Sequence, residues 1–147
     1  MASRLFRARF QSDNLSTRKT LREIRHALER EAVHSDFVSR VESVLAELFN
    51  NIAEHAYQDM GMGEVHCTID RQDDTMTVEV TDQGVPMPGG EMPEGALPDM
   101  DVDITDLPEG GFGWFIIRSQ VDALTYQRLD LGNRTRLTFA LSRSGIG

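Results

Sequence analysis

The chain of 147 residues carries a single cysteine, Cys67, which excludes an internal disulfide and any cysteine-clustered metal site. Cys67 lies in an alternating segment, where an unpaired thiol behaves as a small buried hydrophobe. No apolar run approaches the roughly eighteen residues that a membrane span needs. The Arg-bearing start, 1–10, lacks the apolar middle of a signal peptide, so the expected location is cytoplasmic, with no membrane partner. Basic charge is also missing from one long stretch. Between Gln72 and Ile117 there is no Lys or Arg, although eleven of the 24 acidic residues fall there. The other 13 acids stand against all 15 basic residues, a balance of about +2, so the net charge of −9 belongs to one segment. A nucleic-acid partner wants a basic face. The Arg-rich N-terminal third instead interleaves its charges with acids (Arg22-Glu23, Glu29-Arg30-Glu31), as a solvated helix does, and no direct nucleic-acid contact is expected.

What is present suits one folded unit over 1–147: the length is that of one domain, and 39% hydrophobic residues suffice for one core. Phe6, Ala8 and Phe10 alternate with arginines as in a half-buried strand, broken at Ser12-Asp13-Asn14. Ser16 or Thr17 can cap a helix with Leu21, Ile24 and Leu28 at helical spacing, running to about Val33. The strongest helix follows, capped by His34-Ser35-Asp36. Its stripe is Phe37, Val41, Val44, Leu45, Leu48 and Ile52, it ends near Tyr57, and Gly61 and Gly63 stop it. Val65-Cys67-Ile69 and Met76-Val78-Val80 form a hairpin around 71–74. The stretch 85–109 holds all five prolines and seven acids, so it is a long loop of the kind that serves as a lid or binding loop. Trp114 to Val121 reads as a helix, and Leu124-Tyr126 and Leu137-Phe139-Leu141 as two strands around Gly132-Asn133. There is no internal repeat. Hairpin-like neighbours dominate this order, which favours an α+β fold: a mixed, mostly antiparallel sheet with helices on one face.

Three segments carry residue types suited to chemistry. Glu47, Asn51 and His55 are spaced four apart and share one polar strip of the long helix. Asn51 can offer an oxygen to a hard cation such as Mg²⁺, and Glu47 can accept a proton from an attacking hydroxyl. An ordinary solvated helix edge has the same composition. The turn Asp82-Gln83-Gly84 closes an apolar strand. There, Asp82 can accept from an exocyclic amine such as that of adenine, beside a glycine that permits close approach, although turn chemistry alone explains such a pair. Gly110-Gly111-Phe112-Gly113 leads into the third helix, whose N-terminal amides suit phosphate, or it is a hinge without ligand. It is neither a Walker loop nor a dinucleotide fingerprint.

Taken in order, Glu47-x-x-x-Asn51-x-x-x-His55, Asp82-x-Gly84 and Gly111-x-Gly113 before Ile116-Ile117 resemble the N, G1 and G2 boxes of the GHKL ATPases. The likeness runs from about Phe6 to Ser142. Within that superfamily, the short length and the lack of an upstream phospho-acceptor hairpin look like the anti-sigma factor serine/threonine kinases of sporulation and general stress. The resemblance implies a Bergerat-type two-layer sandwich with an ATP lid at about 85–110, ATP and Mg²⁺ as ligands, Glu47 as catalytic base and Asn51 as metal ligand. It further implies that Asp82 contacts adenine and that His55, Gly84, Gly111, Phe112 and Gly113 shape the nucleotide pocket. Asn133-Arg134-Thr135 aligns with the last box, where Thr135 would assist near adenine; Asn133 and Arg134 replace the small residues usual there. Such proteins usually dimerise, bind a sigma factor and phosphorylate a serine or threonine of a STAS-fold antagonist. Phosphorylation releases the antagonist by adding charge at a packed interface, and an acidic lid would sense that charge by repulsion. A nucleotide-binding module that sequesters its partner without phosphorylating it is the alternative. A detached histidine-kinase ATPase domain is disfavoured, since His26 and His34 lie in polar surroundings that suit solvated helix residues.

Overall fold

The computed structural model describes residues 2–58, 60–87 and 111–141, of 111–113 the backbone only. The element order is β1 (Ser3–Gln11), α1 (Asn14–Arg30), α2 (Ser35–Asn51), a π-helical turn (Ile52–Ala56), β2 (Glu64–Gln72), β3 (Thr75–Asp82), α3 (Gly111–Gln120), β4 (Ala123–Leu129) and β5 (Gly132–Ala140). The strands lie in the order β1-β2-β3-β5-β4, and all four ladders are antiparallel. The α+β architecture expected from the hairpin-rich order is therefore present.

Strand alternation decides which face carries the helices. Val65, Cys67 and Ile69 on β2, Met76, Val78 and Val80 on β3, and Leu137 and Phe139 on β5 are all buried and share one side by the two-residue period. Against that side lie Phe37, Val41, Val44, Leu45 and Leu48 of α2, with Ile24 and Leu28 of α1. Phe37 meets Phe139 edge-on at 6.0 Å between ring centroids, and Phe10 meets Phe49 at 5.0 Å. Each such pair adds about 0.5–1.5 kcal/mol beyond its burial. The other face is polar; on it Glu79 receives Arg136 at 2.8 Å and Arg134 at 3.6 Å.

The elements differ from the sequence reading at their ends. Helix α1 is capped by Asp13, whose Oδ1 accepts from Ser16 N and whose Oδ2 accepts from Ser16 Oγ, both at 2.8 Å. The break at Ser12-Asp13-Asn14 is thus the cap itself, and Ser16 and Thr17 lie in the first turn. Arg25 grips Glu42 of α2 with Nε and Nη2, each at 2.9 Å, and this fork holds the Glu42 carboxyl below its usual range. Helix α2 begins as expected at the His34 cap. Its α register ends at Asn51, and five π-helical residues carry the chain to Tyr57, whose N–H bonds Ile52 O at 3.1 Å. The β2–β3 turn shrinks to Asp73-Asp74, with Asp73 at φ 54°.

Two further boundaries move. Helix α3 starts at Gly111, so the glycine segment forms its first turn rather than a loop before it, and Val121 lies beyond its end. The β4–β5 turn is Asp130-Leu131, not Gly132-Asn133; both of those residues belong to β5 and pair with Leu129 and Arg128. Gly132 is a glycine for a packing reason: a Cβ there would lie 2.0 Å from the Asp82 carbonyl oxygen. Of the expected lid at about 85–110, only Val85–Met87 falls within the described residues. Among the described residues no helix is long and apolar enough to cross a membrane.

Candidate functional site

Three stretches far apart in sequence meet at one end of the sheet: the end of α2 with its π-helical turn, the residues after β3, and the β4–β5 hairpin. Val85 N donates to Ala56 O at 2.9 Å. Gly84 is buried against the same residue, and a Cβ on it would stand 2.3 Å from Ala56 O and 2.5 Å from Ala56 Cβ. Its missing side chain thus serves the approach of the π-helical turn. Tyr57, 2% exposed, bridges the two stretches from below, donating its hydroxyl to Glu64 O at 2.5 Å and accepting from Gln83 N at 2.7 Å.

Asp82 is the buried carboxylate of this corner, 6% exposed. Its Oδ1 accepts from Gly84 N and from Asn133 Nδ2, each at 2.8 Å. Burial pushes its carboxyl pKa up, opposed by the Asn133 and Gly84 hydrogen bonds and by the Arg128 charge. No described residue donates to Oδ2. Thr135 is buried and sits two residues along β5 from Asn133, so it shares the helix-covered face with Asp82, opposite Val80.

On α2, Glu47 and Asn51 remain four residues apart, about 6 Å along the axis. Glu47 is partly exposed, and no described residue bonds it. Asn51 is 6% exposed, and its buried Nδ2 has no partner among the described residues. A buried amide donor without an acceptor costs about 1–3 kcal/mol, so Nδ2 is open to an acceptor from a bound group. His55 behaves differently. It lies in the π-helical turn, whose wider winding breaks the four-residue spacing that would have set it in line with Asn51, and it is exposed. Gly111, Phe112 and Gly113 form the first turn of α3, which packs on α2.

Tyr126, Arg128, Asn133 and Tyr57 belong to this corner although the sequence reading gave none of them a role. A signal for three of them lay in the hairpin: with the turn at Asp130-Leu131, Arg128 faces Asn133 and Tyr126 faces Thr135. Tyr57 carried no such signal.

A family profile described as "Histidine kinase-like ATPase domain" matches residues 10–139. An "Anti-sigma F factor" of Bacillus licheniformis is 24% identical over 110 residues, covering 74% of this chain and 73% of that protein. Among solved structures, the RsbU and RsbW domains of Rv1364c from Mycobacterium tuberculosis superpose with a TM-score of 0.62 at 14% identity, covering 92% of this chain. This chain spans only 32% of that longer polypeptide. The SiaB–SiaC complex from Pseudomonas aeruginosa gives a TM-score of 0.61 at 16% identity, covering 92% of this chain and 89% of that one. These structural likenesses establish the fold. The expected resemblance to GHKL ATPases, and within them to anti-sigma factors, is borne out, and the chain belongs to the histidine kinase-like ATPase domain family.

Proposed function

We propose that this protein is an ATP-dependent serine/threonine kinase and anti-sigma factor that phosphorylates a STAS-type antagonist in a partner-switching system. The observation that carries this reading is the joining of Asn51's helix to the Asp82 turn, with Asp82 Oδ2 and Asn51 Nδ2 both left without a partner among the described residues. The anti-sigma factor relative supports the partner class, and the SiaB–SiaC structure supports a protein partner for this fold.

Asp82 Oδ2 accepts from the adenine amine, and Thr135 lies on the same face beside it. Asn51 would hold a magnesium ion through Oδ1, a hard ligand, leaving its orphaned Nδ2 to donate to a phosphate oxygen. Among the described residues no three His, Cys, Asp or Glu side chains converge, so an ion held there would draw on the nucleotide's own oxygens rather than on a protein cage. Mg²⁺ bound there would supply the counter-charge for phosphate in a chain whose one lysine is Lys19. The first turn of α3 offers amides and the positive end of its dipole to phosphate. Glu47 takes the proton of the attacking serine or threonine hydroxyl as its oxygen bonds the γ-phosphorus. The bond to the bridging oxygen breaks, and ADP leaves.

Incubation with labelled ATP and a purified STAS-domain antagonist tests this. Label transferred to a serine or threonine of the antagonist is the expected result. Tight, nucleotide-dependent binding without transfer would replace the kinase by a sequestering module. The family relation also leads us to expect a homodimer that holds a sigma factor in the cytoplasm, for which sedimentation of the chain alone and with candidate sigma factors is the check.

A further inference from the structure

The β4–β5 hairpin reaches the Asp82 carboxylate through Asn133, which is 4% exposed. Its Nδ2 donates to Asp82 Oδ1 at 2.8 Å and to Val85 O at 3.0 Å. Its Oδ1 accepts from the Tyr126 hydroxyl, and from Arg128 Nη1 at 3.3 Å. The amide is therefore fully used, with two donated and two accepted bonds. Its orientation is fixed by chemistry: the carboxylate and carbonyl only accept, whereas the guanidinium only donates, so the nitrogen must face Asp82.

The same hairpin straps the chain beyond Asp82. Arg128 Nη1 donates to Gly84 O at 2.7 Å, and Met87 N donates to the Tyr126 hydroxyl at 3.1 Å. Both of Asn133's neighbours in the network thus hold the backbone on which the Asp82 turn continues. A carboxylate has two equivalent oxygens and rotates about one bond. Gly84 N holds Oδ1 from its own turn but leaves the carboxylate plane free to tilt; the second donor, Asn133 Nδ2, comes from another strand and fixes that plane, and with it the direction of Oδ2.

We propose that Asn133 is a positioning residue for base recognition: by engaging Asp82 Oδ1 it aims Oδ2 at an exocyclic amine, so that the hairpin tip sets the preference for adenine. This rests on the reading of Asp82 as the adenine contact. A residue that merely filled space at Asn133 would support the fold without affecting which base binds. The two roles separate on a pair of ligands that differ only along one edge of the base, ADP and inosine diphosphate, whose base carries a carbonyl in place of the amine and a hydrogen on the adjoining ring nitrogen.

Calorimetric titration of both nucleotides, with Mg²⁺, into the full chain and its variants is the test. The wild-type chain is expected to prefer ADP by about tenfold or more, the scale of one hydrogen bond to a charged group. Asn133→Ala is expected to bring that ratio within about threefold of unity, and Asn133→Ser, which restores one donor, to recover part of it. Tyr126→Phe removes only a donor to Asn133 Oδ1 and the strap on Met87; it carries the same comparison, with a smaller fall, if Asn133→Ala fails to fold. A wild-type ratio retained in the variants that fold would overturn the role of Asn133 and leave the adenine contact standing. A wild-type chain that binds both nucleotides equally would overturn the Asp82 reading, and Asn133's role with it.

Discussion

The Tyr57 hydroxyl stands between Gln83 N, from which it accepts at 2.7 Å, and Glu64 O, to which it donates at 2.5 Å, so one phenol ties the end of the long helix to β2 and to the Asp82 turn. Burial pushes its pKa above the ordinary tyrosine value, which keeps the donor proton in place through neutral pH. Tyr57→Phe leaves the ring and strands a backbone donor and an acceptor. The expected loss is about 1–3 kcal/mol in urea unfolding, accompanied by weaker ADP binding because the Asp82 turn loses its anchor.

Asp82→Asn separates fold from function at one atom. An asparagine oxygen at the Oδ1 position still accepts from Gly84 and Asn133, while the amine that replaces Oδ2 faces the adenine amine donor to donor. ADP binding is expected to weaken by about tenfold or more, with an unchanged or raised melting temperature. The sign follows from burial, which raises the Asp82 carboxyl pKa in the folded chain. The ionised form is then the costly one. Stability from this group is greatest below the unfolded-state pKa and is lost as pH rises through the folded pKa. Adenine binding needs the ionised acceptor, so ADP affinity should fall as pH drops through that raised pKa. In Asp82→Asn this dependence should vanish, which calorimetric titration across pH would check.

The α2 stripe and the β2–β3 hairpin were legible because period and burial coincide there. Phe37, Val41, Val44, Leu45 and Leu48 are all buried, as are Cys67, Ile69, Val78 and Val80. The boundaries that shifted did so for reasons outside local sequence. Gly132 looked like a turn glycine but yields to the Asp82 carbonyl, and Gly84 looked like a ligand-facing glycine but yields to Ala56. The first approach arises only when β3 pairs with β5 across the whole α3–β4 excursion, and the second only when the end of the long helix lies against the turn after β3. The π-helical turn at Ile52–Ala56 was equally illegible, since its five residues read as a plain continuation of the helix and only the displaced His55 betrays the change of winding.

Glu47→Ala is expected to leave ATP binding within about threefold of the wild-type value and to lower phosphotransfer by roughly 10²–10⁴-fold, the usual range for a general base. The Glu47 side chain makes no hydrogen bond or ion pair with another described residue and is partly exposed, so its loss removes little from the fold. Single-turnover transfer from labelled ATP is the measurement. Transfer at the normal rate would exclude the base role.

Asn51→Ala tests the metal ligand against a packing role. Because Nδ2 has no partner to lose, the melting temperature without nucleotide should be unchanged or higher. The Mg²⁺ dependence of ATP affinity should instead weaken, by about tenfold if the amide is one direct ligand. A variant that melts much earlier yet keeps its response to Mg²⁺ would assign Asn51 to packing.

Gly84 and Gly61 give opposite expectations for the same change. A Cβ at Gly84 would meet the Ala56 backbone carbonyl at 2.3 Å, an atom that cannot rotate away because Val85 N is bonded to it. Gly84→Ala must therefore move either the π-helical turn or the Asp82 strap, at about 1–3 kcal/mol for overpacking, and the displacement carries directly into the nucleotide corner. Gly61 has no atom within 4 Å of a built Cβ; its only constraint is a φ of +80°. There, alanine costs about 1 kcal/mol of backbone strain, asparagine less, and neither change reaches Asp82. Urea unfolding and ADP titration of the two variants should thus show both quantities falling together for Gly84→Ala, and stability alone falling for Gly61→Ala.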